Sequence, residues 1–208
     1  DVALPTEYAY KSKSEGGIWE EGDLRRDESI RYDFTYLGIT PTEVSWGADE
    51  LDPHIKKYED ERTDQFNGNL ANEWYSGKNF IVLRYADVLL CYAECLNELG
   101  ETGEANTVVN QVRARAWGGT LPNEMAWNYG QDEFRVQIMD ERIRELCFEG
   151  WRRMDLIRTG KFVELIKERN PWAKKSGTIK EFHMRWPIPD TEIKNNSDIS
   201  EEDQNPGY

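Results

Sequence analysis

The sequence predicts a mainly α fold: a tetratricopeptide-like helical hairpin packed with further helices, long loops and two or three short strands. Three observations predict it. Apolar residues recur at helical period over 82–99, 104–116 and 132–148. Glycines stand where those runs stop, at Gly100, Gly118, Gly119 and Gly150. Alternation with a period of two is confined to two short runs. The 208 residues suffice for one sizeable core. Residues 1–79 read as an irregular, loop-rich segment with a short strand, part of the same domain as a helical portion over 80–208.

In the first segment, glycines at 16, 17, 22, 38, 47, 68 and 77 break the chain. Ile30, Tyr32, Phe34 and Tyr36 alternate with Arg31, Asp33 and Thr35, which predicts a strand with four apolar side chains on one face. The first helix carries Tyr85, Ala86, Leu89, Tyr92, Ala93 and Leu96 on its stripe. Val88, Cys91 and Cys95 broaden that stripe, so the helix is expected to be covered on two sides. Gly100 fits a left-handed C-terminal cap. The second helix carries Ala105, Val108, Val109, Val112 and Ala116. Together they make an antiparallel hairpin of about 34 residues, the size of one tetratricopeptide unit. A third helix turns Phe134, Ile138, Ile143, Leu146 and Cys147 inward, and short helices follow over 152–158 and 162–168. Phe182, Met184 and Trp186 alternate with Glu181, His183 and Arg185 as a second strand that Pro187 stops. The tail from Asn195 is polar and loop-like.

Composition removes several function classes. Acids outnumber bases 40 to 26, for a formal charge of −14, and no basic stripe interrupts them, so no nucleic-acid partner is expected. The apolar run Phe80-Ile81-Val82-Leu83 ends at Arg84, far short of the ~20 residues of a membrane span. Three cysteines cannot all pair, and Cys91, Cys95 and Cys147 read as small buried apolar residues.

No catalytic, metal or cofactor constellation is expected. Glu141 and Glu145 lie one turn apart, but Arg142 and Arg144 flank them, and Arg152 and Arg158 flank Asp155. Opposite charges keep carboxylates ionised, whereas a glycosidase acid needs a raised pKa. The acids therefore read as an ion-pair brace between helices. His54 and His183, the two histidines, stand in unrelated contexts, too few for a His-Glu-x-x-His zinc site or a di-iron centre. The stretch from Gly17 to Gly22 has phosphate-loop spacing, but Asp23 follows where lysine is required. Asn196, Asp198 and Ser200 begin like a calcium loop, then Glu201 replaces its glycine.

Four blocks resemble the SusD/RagB family. Leu83-Arg84-Tyr85-Ala86-Asp87 through Leu96-Asn97-Glu98 is similar to its helix pattern, with Cys91 and Cys95 in place of the more usual Met and Ala. Asn110-Gln111-Val112-Arg113-Ala114-Arg115-Ala116 resembles the following helix. Glu141-Arg142 through Phe148-Glu149-Gly150, then Arg152, Asp155-Leu156, Arg158 and Gly160, resemble its signature. Pro187-Ile188-Pro189, Glu192-Ile193 and Gln204-Asn205-Pro206-Gly207-Tyr208 resemble its close. Asp23-Leu24-Arg25-Arg26 and Lys57-Tyr58 fit weaker segments. The resemblance marks 80–208 as a SusD/RagB-type C-terminal helical domain.

It further implies a non-enzymatic, surface-exposed lipoprotein of the outer membrane in Bacteroidetes, held by a lipid anchor outside this chain. Such a protein binds a nutrient glycan for delivery to a SusC-like TonB-dependent transporter. Peptide capture of the RagB type and a helical protein-interaction module are the alternatives. No family ligand residue maps onto these blocks. Trp19, Trp46, Trp74 and Tyr75, in polar and glycine-broken surroundings, are the candidate ligand-binding rings, because a flat ring stacks on the C–H face of a sugar. Trp117, Trp151 and Trp186 are expected in the core.

Overall fold

The computed structural model describes residues 4–32, 34–35, 38–42, 52–60 and 77–208. They divide into two compact units, Asp1–Arg152 and Arg153–Tyr208. Among the described residues, no helix is long and apolar enough to cross a membrane.

The first unit opens with α1 (Glu7–Tyr10), α2 (Arg25–Ser29), β1 (Ile30–Arg31) and β2 (His54–Ile55). Ile30 pairs with Ile55 and Arg31 with His54 in an antiparallel ladder. Of the alternation over 30–36, Asp33 and Tyr36 lie outside the described residues, and among the rest the ladder is limited to Ile30 and Arg31. Pro53, next in register, has no N–H to donate, and a turn from Lys56 to Glu59 stops the other side. The alternating aromatics still form a row, with Tyr32 5.8 Å from Tyr10, Phe34 6.4 Å from Tyr32, and His54 5.3 Å from Phe34. Beneath it, Ile18, Trp19 and Ile30 make a small core with Tyr8, Ile143, Cys147 and Phe148 packed around it.

The hairpin is α3 (Tyr85–Glu98) and α4 (Thr102–Ala116), with α5 (Gln131–Leu146) packed on it. Leu90, Ala93, Ala105, Val109 and Phe134 are sealed from solvent at its centre, where the two alanines let the helix backbones approach closely. Gly100, at φ 85°, makes the reversal. α3 begins at Tyr85 rather than 82, because Arg84 is extended and caps it. The second apolar side of α3 stays largely open among the described residues, although the Arg142 guanidinium reaches Cys91 Sγ at 3.4 Å. Val88, Cys91 and Cys95 are exposed, and so are Tyr85 and Tyr92 of the predicted inward stripe, which corrects their reading as buried. The cause is angular: the inner stripe of Leu90, Ala93, Leu96 and Asn97 leaves the other side of the helix facing outward.

Three side-chain amides, two buried and that of Asn110 half-buried, rivet the connection between α4 and α5. Asn110 bonds both the N–H and the carbonyl of Trp127, at 2.7 and 3.0 Å. Asn106 does the same for Tyr129, at 3.1 and 2.9 Å. Asn97 donates to the Gln131 carbonyl and receives the Gln131 amide on its own carbonyl. These bonds satisfy loop backbone that has no ladder, and they seat Trp127 edge-on against Phe134 at 5.5 Å.

The second unit follows α6 (Arg152–Arg158) with α7 (Phe162–Arg169), α8 (Pro171–Ser176) and α9 (Asp190–Asn195). Where a strand is predicted over 182–186, Glu181–Met184 form a turn of 3-10 helix. The Lys180 N–H donates to His183 Nδ1 at 3.0 Å, and Phe182 stacks on the His183 ring at 4.1 Å. Neighbouring side chains thus share one side, which strand alternation forbids. Trp186 is 72% exposed, not in the core; Arg153 covers its ring at 4.5 Å. The tail is anchored rather than loose. Gln204 bonds both backbone groups of Ile188, Asn205 donates to the Trp186 carbonyl, and the Tyr208 hydroxyl donates to the Arg185 carbonyl.

Two glycines differ in what they tolerate. A Cβ on Gly17 meets the Lys11 carbonyl oxygen at 2.1 Å, whereas one on Gly100 meets nothing within 4 Å. Gly100→Ala therefore costs about 1 kcal/mol of backbone strain, and Gly17→Ala about 2 kcal/mol or more. Urea denaturation of both variants checks the ranking; equal losses contradict it.

Candidate functional site

Helical spacing puts Glu141 and Glu145 on one face of α5, and Glu149 follows just past its end. Cations from distant segments converge there. Glu141 is fully buried and accepts from Arg25 at 2.8 Å, Arg113 at 2.9 Å and Arg144 at 2.7 and 3.0 Å. Glu145 accepts from Arg25 at 3.0 Å and also from Arg84 and Arg115. Glu149 accepts from Arg84 at 2.8 and 2.9 Å and from Lys57 at 2.6 Å. Lys57 Nζ also donates to the carbonyls of Glu145 and Cys147, capping the end of α5. Arg113 adds Glu20 at 2.6 Å and lies 4.9 and 5.4 Å from the rings of Trp117 and Trp127. One ionic cluster thus ties the loop before α2, the Lys57 turn, and α3, α4 and α5.

The charges decide its chemistry. Burial pushes the Glu141 carboxyl upward, but Arg25, Arg144 and Arg113 outweigh it and hold it well below the usual carboxylate range. Burial likewise opposes Arg84 and Lys57 at Glu149, and Arg144 and Arg113 at Glu20; both acids end below their ordinary value. Carboxylates kept ionised cannot donate the proton that a glycosidase acid supplies. The brace predicted from neighbours in sequence forms in part, since Arg158 pairs with Asp155 at 2.9 Å, but most partners of Glu141 and Glu145 come from elsewhere. Arg144 does turn to Glu141, but Arg142 reaches Asp87 at 2.9 Å, and Arg152 bonds the Met139 carbonyl. Arg25, Lys57, Arg84, Arg113 and Arg115 supply the rest. All lie inside the family-like blocks, yet no periodicity pairs residues so far apart in sequence.

Of the candidate rings, Trp19 is 2% exposed and donates its Nε1 to the Ala9 carbonyl at 2.6 Å. In that place it packs and shows no face to a solute. Trp46, Trp74 and Tyr75 lie outside the described residues. Among the described residues, no group of three or more histidines, cysteines or acids is placed to hold a metal ion.

An open cleft of about 340 Å³ is lined by Tyr10, Arg26, Asp27, Ile30, Tyr32 and Lys56. Tyr10 and Tyr32 meet edge to face, and the Arg26 guanidinium lies 5.9 Å from the Tyr10 ring. Sequence reading missed it because the alternation through Ile30 and Tyr32 announces a strand, and no local pattern brings Tyr10, Arg26 and Lys56 beside it.

Removing one partner from a buried ion cluster leaves the others unpaired, so Glu141→Gln should lower stability by about 3 to 5 kcal/mol. Exposed Glu133, as Glu133→Gln, is the control and should change little. Glu141, Glu149 and Glu20 titrate in the folded state below the ordinary glutamate value of 4.5, so the folded state binds fewer protons than the unfolded one. Their stabilisation is complete above that unfolded value and is lost as pH falls through the lower folded ones. Urea midpoints from pH 7 to pH 3 should be level at first and drop below about 4.5; a rise on acidification contradicts this.

Residues 6–208 match the family model described as the SusD family. SusD-like protein P38 of Formosa agariphila is 41% identical over 155 residues, which are 72% of this chain and 28% of that protein. The starch-binding protein SusD of Bacteroides thetaiotaomicron is 28% identical over 159 residues, 74% of this chain and 26% of that protein. The chain therefore spans little more than a quarter of the length of these relatives. A crystallised SusD homolog from Bacteroides thetaiotaomicron superposes with a TM-score of 0.62 at 26% identity, covering 90% of this chain and 41% of that one. With a match across nearly its whole length, this chain belongs to the SusD family.

Proposed function

We propose that this protein captures a nutrient glycan at the cell surface and passes it to a SusC-like TonB-dependent transporter, without cleaving it. Family membership over 6–208 carries the reading, and a relative named for starch binding points to carbohydrate as the ligand class. The chemistry of the braced acids favours holding over turnover, since Glu141 and Glu149 are kept ionised by guanidinium and ammonium groups. A lipid anchor on the outer face of the outer membrane is part of this reading. Trp46, Trp74 and Tyr75 are proposed as the rings that stack on sugar, with Trp19 supporting from the core.

Isothermal titration against an oligosaccharide panel and a peptide panel tests it. Glycans are expected to bind and to be recovered with no new reducing ends. Trp74→Ala should weaken binding about tenfold, the scale of one lost aromatic contact. Blank glycan titrations, or new reducing ends, sink the proposal.

A further inference from the structure

We infer that the cleft between Tyr10 and Tyr32 binds an anionic sugar unit, one that carries a carboxylate or a sulfate. The inference rests on the glycan-capture reading and narrows it. Two cations at the cleft retain unused capacity. Lys56 Nζ donates to the Asp27 carbonyl at 2.8 Å, a neutral partner, and no described carboxylate pairs with it. Arg26 uses its Nε on Asp27 at 2.8 Å, and its two terminal nitrogens have no described hydrogen-bond partner. The Arg26 side chain is 38% exposed and thus open to a solute. A planar guanidinium with free N–H groups suits the paired oxygens of a carboxylate or sulfate.

The surroundings suit a sugar ring rather than a bare anion. Tyr10 and Tyr32 offer aromatic surface, Ile30 supplies an apolar lining, and the second Asp27 oxygen can accept from a hydroxyl. A volume of about 340 Å³ falls in the range of small-molecule sites. The parts are held in place. α1 is tied by the Trp19 bond to Ala9, and Ile30 is paired with Ile55, the residue before Lys56. On a chain of net charge −14, two such cations in one concave place oppose the general field, so they favour an anion locally.

The test is titration of the protein with an oligogalacturonate, a sulfated galactan oligosaccharide and a neutral malto-oligosaccharide, at low and high salt. The expected result is that at least one anionic ligand binds more tightly than the neutral one and weakens as salt rises. The two anionic arms separate carboxylate from sulfate recognition. Lys56→Gln and Arg26→Gln, checked for unchanged urea midpoints, should each weaken anionic binding about tenfold, while Lys56→Arg retains it. Equal affinity for neutral and anionic ligands, or Lys56→Gln and Arg26→Gln both binding like wild type, overturns the cleft assignment and leaves glycan capture standing. No binding of any oligosaccharide overturns both.

Discussion

A fully buried carboxylate, Glu141, sits among three guanidinium groups, and the rest of the first unit is arranged around keeping it charged. An ionised acid in an apolar interior is costly unless its partners are close and well aimed. Arg25 must come from the segment at α2, Arg113 from α4 and Arg144 from α5 itself. Satisfying one carboxylate therefore fixes three segments relative to one another. Glu145 and Glu149 extend the same condition to the N-terminus of α3 through Arg84, and to the Lys57 turn. Each bond of the cluster is directional, so it adds an orientation requirement to the apolar packing of these helices.

The N-terminal segment is held to the helices by the same device. Arg144 donates to the Ile18 carbonyl at 3.2 Å, and Glu20 reaches Arg113, so the chain on both sides of Trp19 is fixed. Trp19 then fills the space between this segment and α5, with its polar edge satisfied by Ala9. Phe148 shows how strongly the arrangement is determined. It holds φ at 65°, a conformation that costs a bulky residue about 1 to 2 kcal/mol. Its ring belongs to the Trp19 cluster, and Lys57 clamps the carbonyls just before it. Packing and capping together outweigh the strain.

A scaffold so constrained suits recognition. Binding groups on short segments keep their geometry only if the segments cannot drift. The cleft lined by Tyr10, Tyr32, Arg26 and Lys56 draws on four such segments, each tied to a stiffer element. The acids of the family-like signature are spent on that stiffness. Glu141 and Glu149 are held ionised by arginine and lysine, a state in which a carboxylate has no proton to give.

Much of this was legible in the residues. Periodic stripes placed α3, α4 and α5, glycines marked their ends, and charge spacing identified Glu141 and Glu145 as a brace. Helices are local objects, so a local pattern reveals them. The strand expected over 182–186 failed because alternation cannot see the His183 bond to Lys180, nor the ring stacking that bends the segment into a turn. Trp186 and Cys95 were misplaced for a related reason: periodicity shows that a side chain is apolar, not whether another element covers it. The partners of Glu141 and Glu145 and the walls of the cleft lay beyond any pattern. By itself the sequence determined the helices and the family; only the tertiary structure decided which arginine meets which glutamate, because some of those pairs join residues more than 100 positions apart.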